Sequence, residues 1–213
     1  EFGVLRVGAT ITLGNFLLPE LAARFQQRHP HLQLRAVVSN GAQLSQHLLE
    51  NTIDLALIEG SILLPQLVSE PFSGDHLQLI LPPGHPLSER KGLSLEELAE
   101  EPFLLRERGS AGRKFLDHVF AAHQLPLTPL WESASTQAII KAVGAGLGVS
   151  FLPEKLVSQA IAEGSVRTVP IENEPFARTH HIVYHRHKFL TQSAREFIAL
   201  CHEMEASADV MEP

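Results

Sequence analysis

Residues able to do chemistry gather at two places where an apolar strand runs into a loop that opens a helix. The first holds Thr10 and Thr12, in the run Ala9-Thr10-Ile11-Thr12-Leu13-Gly14-Asn15 after the apolar stretch 5–8. The second holds Arg106, Arg108, Ser110, Arg113 and Lys114, around Gly109 and Gly112, after the apolar stretch 103–105. Hydroxyls and unpaired backbone N–H groups at a helix start form hydrogen bonds outward, and the start carries positive partial charge. A guanidinium adds bidentate binding of a carboxylate or oxyanion. The chemistry these residues share is capture of a small polar or anionic ligand. Each also has a plainer use. Thr10 and Thr12 can cap a helix, and Arg108 and Lys114 can belong to a solvated loop in which Glu107 competes for the cations.

Three further positions join them: Asn40 and Gly41 where another helix begins, Glu59 at the end of the apolar strand 55–58, and Ser135 with Thr136 at a later helix start. Glu59 can bind a ligand ammonium, hold an arginine or share a proton with an acidic ligand, and it can equally be a cap or an ion-pair partner. Ser135 and Thr136 can be caps alone. The 12 histidines include His180, His181, His185 and His187, but no neighbouring carboxylate or cysteine completes a zinc spacing, so neither a metal nor a cofactor is expected. Gly144, Gly146 and Gly148 follow a helix and precede a strand, the reverse of the dinucleotide-binding order. No nucleophile elbow, Walker loop or H-E-x-x-H motif is present, so nothing supports catalysis.

These residues need an α/β framework to present them. Leu17, Leu18, Leu21, Ala22 and Phe25 recur at helical spacing, with Pro19 in the first turn. Leu32, Leu34, Ala36 and Val38 alternate as in a strand, and a helix over 43–51 leads to the strand 55–58. This βαβαβ order requires right-handed crossovers and a mostly parallel sheet with helices on its faces. Pro82-Pro83-Gly84-His85-Pro86 ends the apolar run 77–81 and marks a first crossing. Ser94 and Glu97 form a capping box for a short helix over 94–100. The scheme then repeats: strand 103–105, helix 113–123, strand 127–131, helix 136–145, strand 148–152. A strand at 182–184 and a last helix marked by Ala194, Phe197, Ile198 and Cys201 return the chain to its first half. The expected organisation is one lobe from 1–82 with 186–213 and a second from 83–185, around a ligand cleft.

A chain of 213 residues that is 44% hydrophobic has a real core. Its formal charge of -7 argues against gripping nucleic acid by itself, since that needs clustered Lys and Arg. With Cys201 alone no intrachain disulfide forms, which fits a reducing cytosol. No apolar stretch approaches the roughly 18 to 20 residues of a membrane span, and Glu1-Phe2-Gly3 does not begin a signal sequence.

Residues 5–10 followed by Leu17-Leu18-Pro19 and Phe25-Gln26-Gln27-Arg28-His29-Pro30 resemble the opening of the effector-binding domain of LysR-type transcriptional regulators. Ile53-Asp54-Leu55-Ala56-Leu57-Ile58, Gly84-His85-Pro86-Leu87, the loop 105–113 and the turn 142–149 resemble later family motifs in the same order. The resemblance implies a type-II periplasmic-binding-protein fold: two Rossmann-like α/β lobes, joined by two crossover segments, with an effector cleft between them. It implies a cytoplasmic bacterial regulator whose N-terminal winged helix-turn-helix and linker helix are missing here, so that DNA is touched only by the absent part. A dimer of this domain and a tetramer at full length follow, with no membrane. The faces around Leu21, Ala22 and Phe25 and the helix 113–123 are expected between subunits. Carried over by position, ligand contacts fall on Thr10, Thr12, Asn40, Gly41, Arg106, Ser110 and Arg113. Gly41 stands where many relatives have a hydroxyl residue, and Ala111-Gly112 replaces the usual hydroxyl residue before Arg113.

Two other classes stay open on residues alone. A free solute-binding protein for a small anion or amino acid shares the fold, and predicts a signal peptide and a monomer. An enzyme of similar fold predicts a cleft acid or base, for which Glu59 is the one candidate.

Overall fold

The computed structural model describes residues 3–208; residues 1, 2 and 209–213, at the two ends of the expected first lobe, lie outside the described residues. In chain order the first half comprises β1 (Val4–Ala9), α1 (Ile11–Phe16), α2 (Leu18–Arg28), β2 (Gln33–Val38), α3 (Gly41–Leu49) and β3 (Leu55–Glu59). The long strand β4 (Leu67–Leu81) leads to β5 (Phe103–Arg106), α4 (Ala111–Ala122), β6 (Pro129–Ser133), α5 (Thr136–Gly144), β7 (Ser150–Pro153), α6 (Glu154–Ala162) and β8 (Arg167–Thr168). Strand β9 (Ala177–His185) and helix α7 (Gln192–Ala208) follow.

The chain forms two compact units, the first from residues up to 74 and from 179 onward, the second Asp75–Arg178. The divisions fall inside β4 and β9 rather than at 82/83 and 185/186. The Pro82–Gly84 turn signal ends β4 instead of marking the crossing, because the strand continues through the polar residues Ser73, Gly74, Asp75 and His76 on ladder bonding that needs no turn.

In unit 1, β2 and β3 lie parallel on either side of β1, and β9 adds antiparallel to β3, with Ala56 opposite Val183 and Glu59 opposite His180. The run β2-β1-β3 is thus parallel, and β9, which follows it, is antiparallel to β3 and has β4 on its other side. Alternation along the strands sends Leu5, Val7, Ala9, Leu55, Leu57 and Ile182 to one face, where α2 and α7 bury Leu21, Phe25, Phe197 and Leu200. Ala56, Ile58 and Val183 face α3 through Leu44 and Leu48. The helix packs so tightly on β1 that a Cβ on Gly8 would lie 2.7 Å from Leu44. Leu21 and Phe25, expected between subunits, are 0% and 1% exposed in this unit's own core. An amphipathic helix shows that its apolar side must be covered, and here α7 and the sheet cover it. Below β3, Asp54 accepts hydrogen bonds from Arg6 at 2.8 Å and pairs with Lys188 Nζ at 2.7 Å. Burial pushes the Asp54 carboxyl up, but hydrogen bonds from Arg6 and Lys188 outweigh it and hold the group below its ordinary value.

In unit 2, β5 and β6 pair in parallel, and β4 pairs antiparallel with β7 and β8. A single parallel bridge, Phe103 to Val149, ties β5 to the chain entering β7. That approach requires glycine, since a Cβ on Gly148 would sit 2.2 Å from the Pro102 carbonyl oxygen. One core cluster gathers Phe103, Leu116, Phe120, Phe151 and Phe176, with the Phe151 and Phe176 rings stacked at 4.5 Å. The other packs Leu104, Ile139, Ile140, Val143 and Leu152 beneath α5. Leu116, Val119 and Phe120 of α4 are also core, leaving Lys114, Asp117, His118 and Ala121 on its exposed side. The Ser94–Glu97 capping box forms as expected, but around only a short 3-10 helix, Glu96–Leu98. Helices α1 and α6 were not expected from the sequence pattern.

Candidate functional site

In unit 1 the residues at the carboxyl ends of β1 and β3 meet. Thr10 does not cap α1 with its side chain. Its hydroxyl accepts the Glu59 N–H at 3.2 Å and its own N–H donates to the Leu57 carbonyl at 3.0 Å, which staples the two strand ends together. The cap is instead Glu59, whose Oε1 accepts the N–H groups of Thr12 at 2.8 Å and Leu13 at 3.3 Å. A carboxylate across from a helix start offsets its unpaired donors and dipole. Those amides, expected for a ligand, are engaged within the protein. Thr12 is itself buried. At α3 the Asn40 side chain caps the helix by accepting the Gln43 N–H at 3.0 Å. Gly41 opens that helix beside empty space, with nothing within 4 Å of where a Cβ would stand.

In unit 2 the structure brings Arg106, Thr136 and Arg113 together through β5. Arg106 forks onto Glu107, with Nε to Oε2 at 2.8 Å and Nη2 to Oε1 at 3.1 Å, and its Nη1 donates to the Thr136 hydroxyl at 3.3 Å. Thr136 begins α5 and is buried, while Ser135 caps that helix through the Ala138 N–H at 3.2 Å. Ser110 caps α4 by accepting the Arg113 N–H at 3.1 Å. Of the cap candidates read from sequence, Ser135 and Glu59 cap helices and Thr10 does not, while Asn40 and Ser110, expected as ligand contacts, are caps as well.

Arg113 is only 4% exposed. Its guanidinium bonds Asp117 at 3.0 Å, Glu132 at 3.1 Å and the Arg106 carbonyl oxygen at 3.1 Å. The expected anion ligand is thus a strut that holds α4 against β5 and β6. A buried guanidinium stays only where acceptors surround it, and here two carboxylates and a backbone carbonyl do. Arg108 is exposed in the loop as expected, and Lys114 is exposed on the outer side of α4. Asp117 lies one helical turn after Arg113 and is legible by that spacing; Glu132 has no local signal.

The rings of His180, His181 and His185 make hydrogen bonds: His180 Nδ1 with Ser73 Oγ at 2.7 Å, His181 Nδ1 with the Gly60 carbonyl at 2.8 Å, and His185 Nδ1, which accepts the backbone N–H of His187 at 3.2 Å. Among the described residues no group of three or more His, Cys, Asp or Glu can hold a metal ion, and no helix is long and apolar enough to cross a membrane.

A family model described as the LysR substrate binding domain matches residues 1–206. The chain is 32% identical over 199 residues to the uncharacterized HTH-type transcriptional regulator YeiE of Escherichia coli K12, covering 93% of this chain and 68% of that protein. It is 33% identical over 199 residues to the RuBisCO operon transcriptional regulator of Allochromatium vinosum, covering 92% of this chain and 66% of that protein. It thus spans about two thirds of the length of these curated relatives. Among solved structures, the regulatory domain of Synechocystis PCC6803 CcmR in complex with 2-PG matches with a TM-score of 0.87 and 25% identity, over 95% of this chain and 97% of that one.

Proposed function

The chain belongs to the LysR substrate-binding domain family, and on that premise we propose that it senses a small carboxylate or oxyanion for a transcriptional regulator. The fold is the type-II periplasmic-binding-protein-like α/β architecture of LysR effector-binding domains. The curated relatives are transcriptional regulators, which favours this class over a transport protein or an enzyme.

The observation that carries the ligand reading is the arrangement in unit 2. A guanidinium edge and a buried hydroxyl, Arg106 and Thr136, stand at the start of α5, and Ser110 caps α4. Helix starts supply N–H donors and positive potential, and the Arg–Thr pair gives direction. Unit 1 has a donor set of its own at the Asn40-capped start of α3, where Gly41 leaves room for backbone contact. Thr10, Thr12 and Glu59 act behind it by shaping the β1 and β3 ends. The complex of CcmR with 2-PG supports an anion of that size as ligand. Ser135 lines the same edge, and Arg113 supports it from beneath.

In this reading the protein acts in the cytoplasm as a homo-oligomer, and DNA is contacted by a further segment of the regulator. The acidic balance of -7 fits that division of labour. With Leu21 and Phe25 committed to the core, contact between copies draws on other surfaces, such as the exposed edge strands β2 and β6, where Leu130 and Trp131 are 64% and 44% exposed. An effector changes the regulator only through unequal affinity for its two states.

Thermal shift with sulfate, phosphate and 2-phosphoglycolate tests the reading. Saturation near 100 times the dissociation constant raises stability by about 2.7 kcal/mol. The shift is expected to weaken in Arg106→Ala and Thr136→Val. A response to neutral solutes and to no anion refutes it.

A further inference from the structure

The two strands that carry the chain from one unit to the other are tied to each other just before and just after the division. In unit 1, Ser73 Oγ and His180 Nδ1 are 2.7 Å apart. In unit 2, Arg178 grips Asp75 with two parallel bonds, Nε to Oδ1 at 2.8 Å and Nη2 to Oδ2 at 2.6 Å, and the two side chains are 1% and 2% exposed. Removing two charges from water costs about as much as their attraction returns, so stability alone does not account for such a pair. A bidentate fork does fix geometry, because the planar guanidinium cannot rotate without breaking both bonds.

The remaining guanidinium nitrogen, Nη1, lies 3.8 Å from where a side chain on Gly112 would begin. Gly112 is the second residue of α4, in the turn capped by Ser110. Glycine is a poor helix former. A methyl at this position would make ordinary contact with Nη1, and a longer side chain that continues in that direction would meet the guanidinium. The departure Ala111-Gly112 noted in the sequence is thereby linked to a buried charge far along the chain.

We propose that Arg178, clamped by Asp75, is a positioning residue that couples the first turn of α4 to the crossing strands β4 and β9. A shift of that turn presses on a guanidinium that cannot yield without moving Asp75, so the displacement is delivered to both strands where the chain passes between units. The functional meaning rests on the assignment of the α4 turn to effector recognition given above; the mechanical coupling does not.

Amide hydrogen exchange on the ligand-free protein tests the coupling from both ends. Gly112→Leu pushes from the helix side. The double substitution Asp75→Leu with Arg178→Met removes the ion pair while keeping apolar bulk. Exchange is followed at 72–76, 177–181 and 111–114, with 139–143 of the α5 core as reference. Gly112→Leu is expected to speed exchange in both crossing segments about tenfold, the scale of one charged hydrogen bond, and the double substitution to speed 111–114 by a similar factor. The reference stays unchanged in both. Arg178→Lys, which keeps the charge and loses the fork, carries the same expectation if the double substitution does not fold. Faster exchange confined to the neighbourhood of the substituted residue overturns the proposal.

A second arm adds sodium sulfate or 2-phosphoglycolate. In the wild type either probe is expected to protect 111–114 and both crossings together, and in Arg178→Lys to protect 111–114 alone. If neither anion protects 111–114, the effector assignment fails, while the ligand-free arm still decides the coupling.

Discussion

Replacing Glu59 measures what its carboxylate contributes as the cap of α1. Its Oε1 accepts two N–H groups, at 2.8 and 3.3 Å, and the residue is only 6% exposed, so water cannot replace the carboxylate when it is removed. The shorter bond is a charged hydrogen bond contributing about 1.5 to 3 kcal/mol, and the longer one contributes at the low end of the neutral range, about 0.5 kcal/mol. Glu59→Ala is therefore expected to cost about 3 kcal/mol, above the roughly 0.5 to 2 kcal/mol of an exposed cap. Glu59→Gln keeps an oxygen acceptor and loses the charge, for a cost of about 1 kcal/mol. For a chain of this length 3 kcal/mol lowers the melting temperature by roughly 6 to 12 °C. Urea unfolding at neutral pH, followed by far-UV circular dichroism, measures both variants. Equal losses for Ala and Gln, or an Ala loss under about 1 kcal/mol, would show that the carboxylate does not hold α1.

Asp54 has its carboxyl held below the ordinary range, so it adds stability at pH above its unfolded value of about 3.9 and loses it as pH falls through the lower folded value. Asp54→Asn should cost about 1 kcal/mol at neutral pH, and the gap from wild type should close only as urea unfolding is repeated below about pH 4; a gap that closes between pH 7 and 5 contradicts the assignment. Gly148→Ala places a Cβ 2.2 Å from a backbone oxygen that no side-chain motion can relieve. It should cost about 3 kcal/mol or more in thermal unfolding, whereas Gly41→Ala, beside empty space, should be nearly neutral by the same measurement.

The cleanest sequence signals were those in which donor and acceptor are three residues apart. Ser135 caps its helix, and Ser94 and Glu97 form their box, because a cap is closed within one turn and needs no distant partner; Asn40 and Ser110, expected as ligand contacts, close caps in the same local way. The strand and helix order was legible for the same reason, through hydrophobic period. Thr10 shows where this reasoning stops. Its residue type suits a cap, yet the competing acceptor comes from Glu59, on a strand whose position next to β1 is a matter of register.

Composition and spacing by themselves determined the α/β order, the acidic balance of the chain, and the capping chemistry at Ser94 and Ser135. Only the tertiary structure decided which charges are available. Arg113 reads as an anion ligand along the chain, but Glu132 of β6 takes its guanidinium, and Arg178 finds Asp75 across 103 residues. Pairing of that kind depends on which strands are neighbours and how they are aligned, and a local pattern contains neither, since the free energy of a buried charge is set by everything that replaces its water.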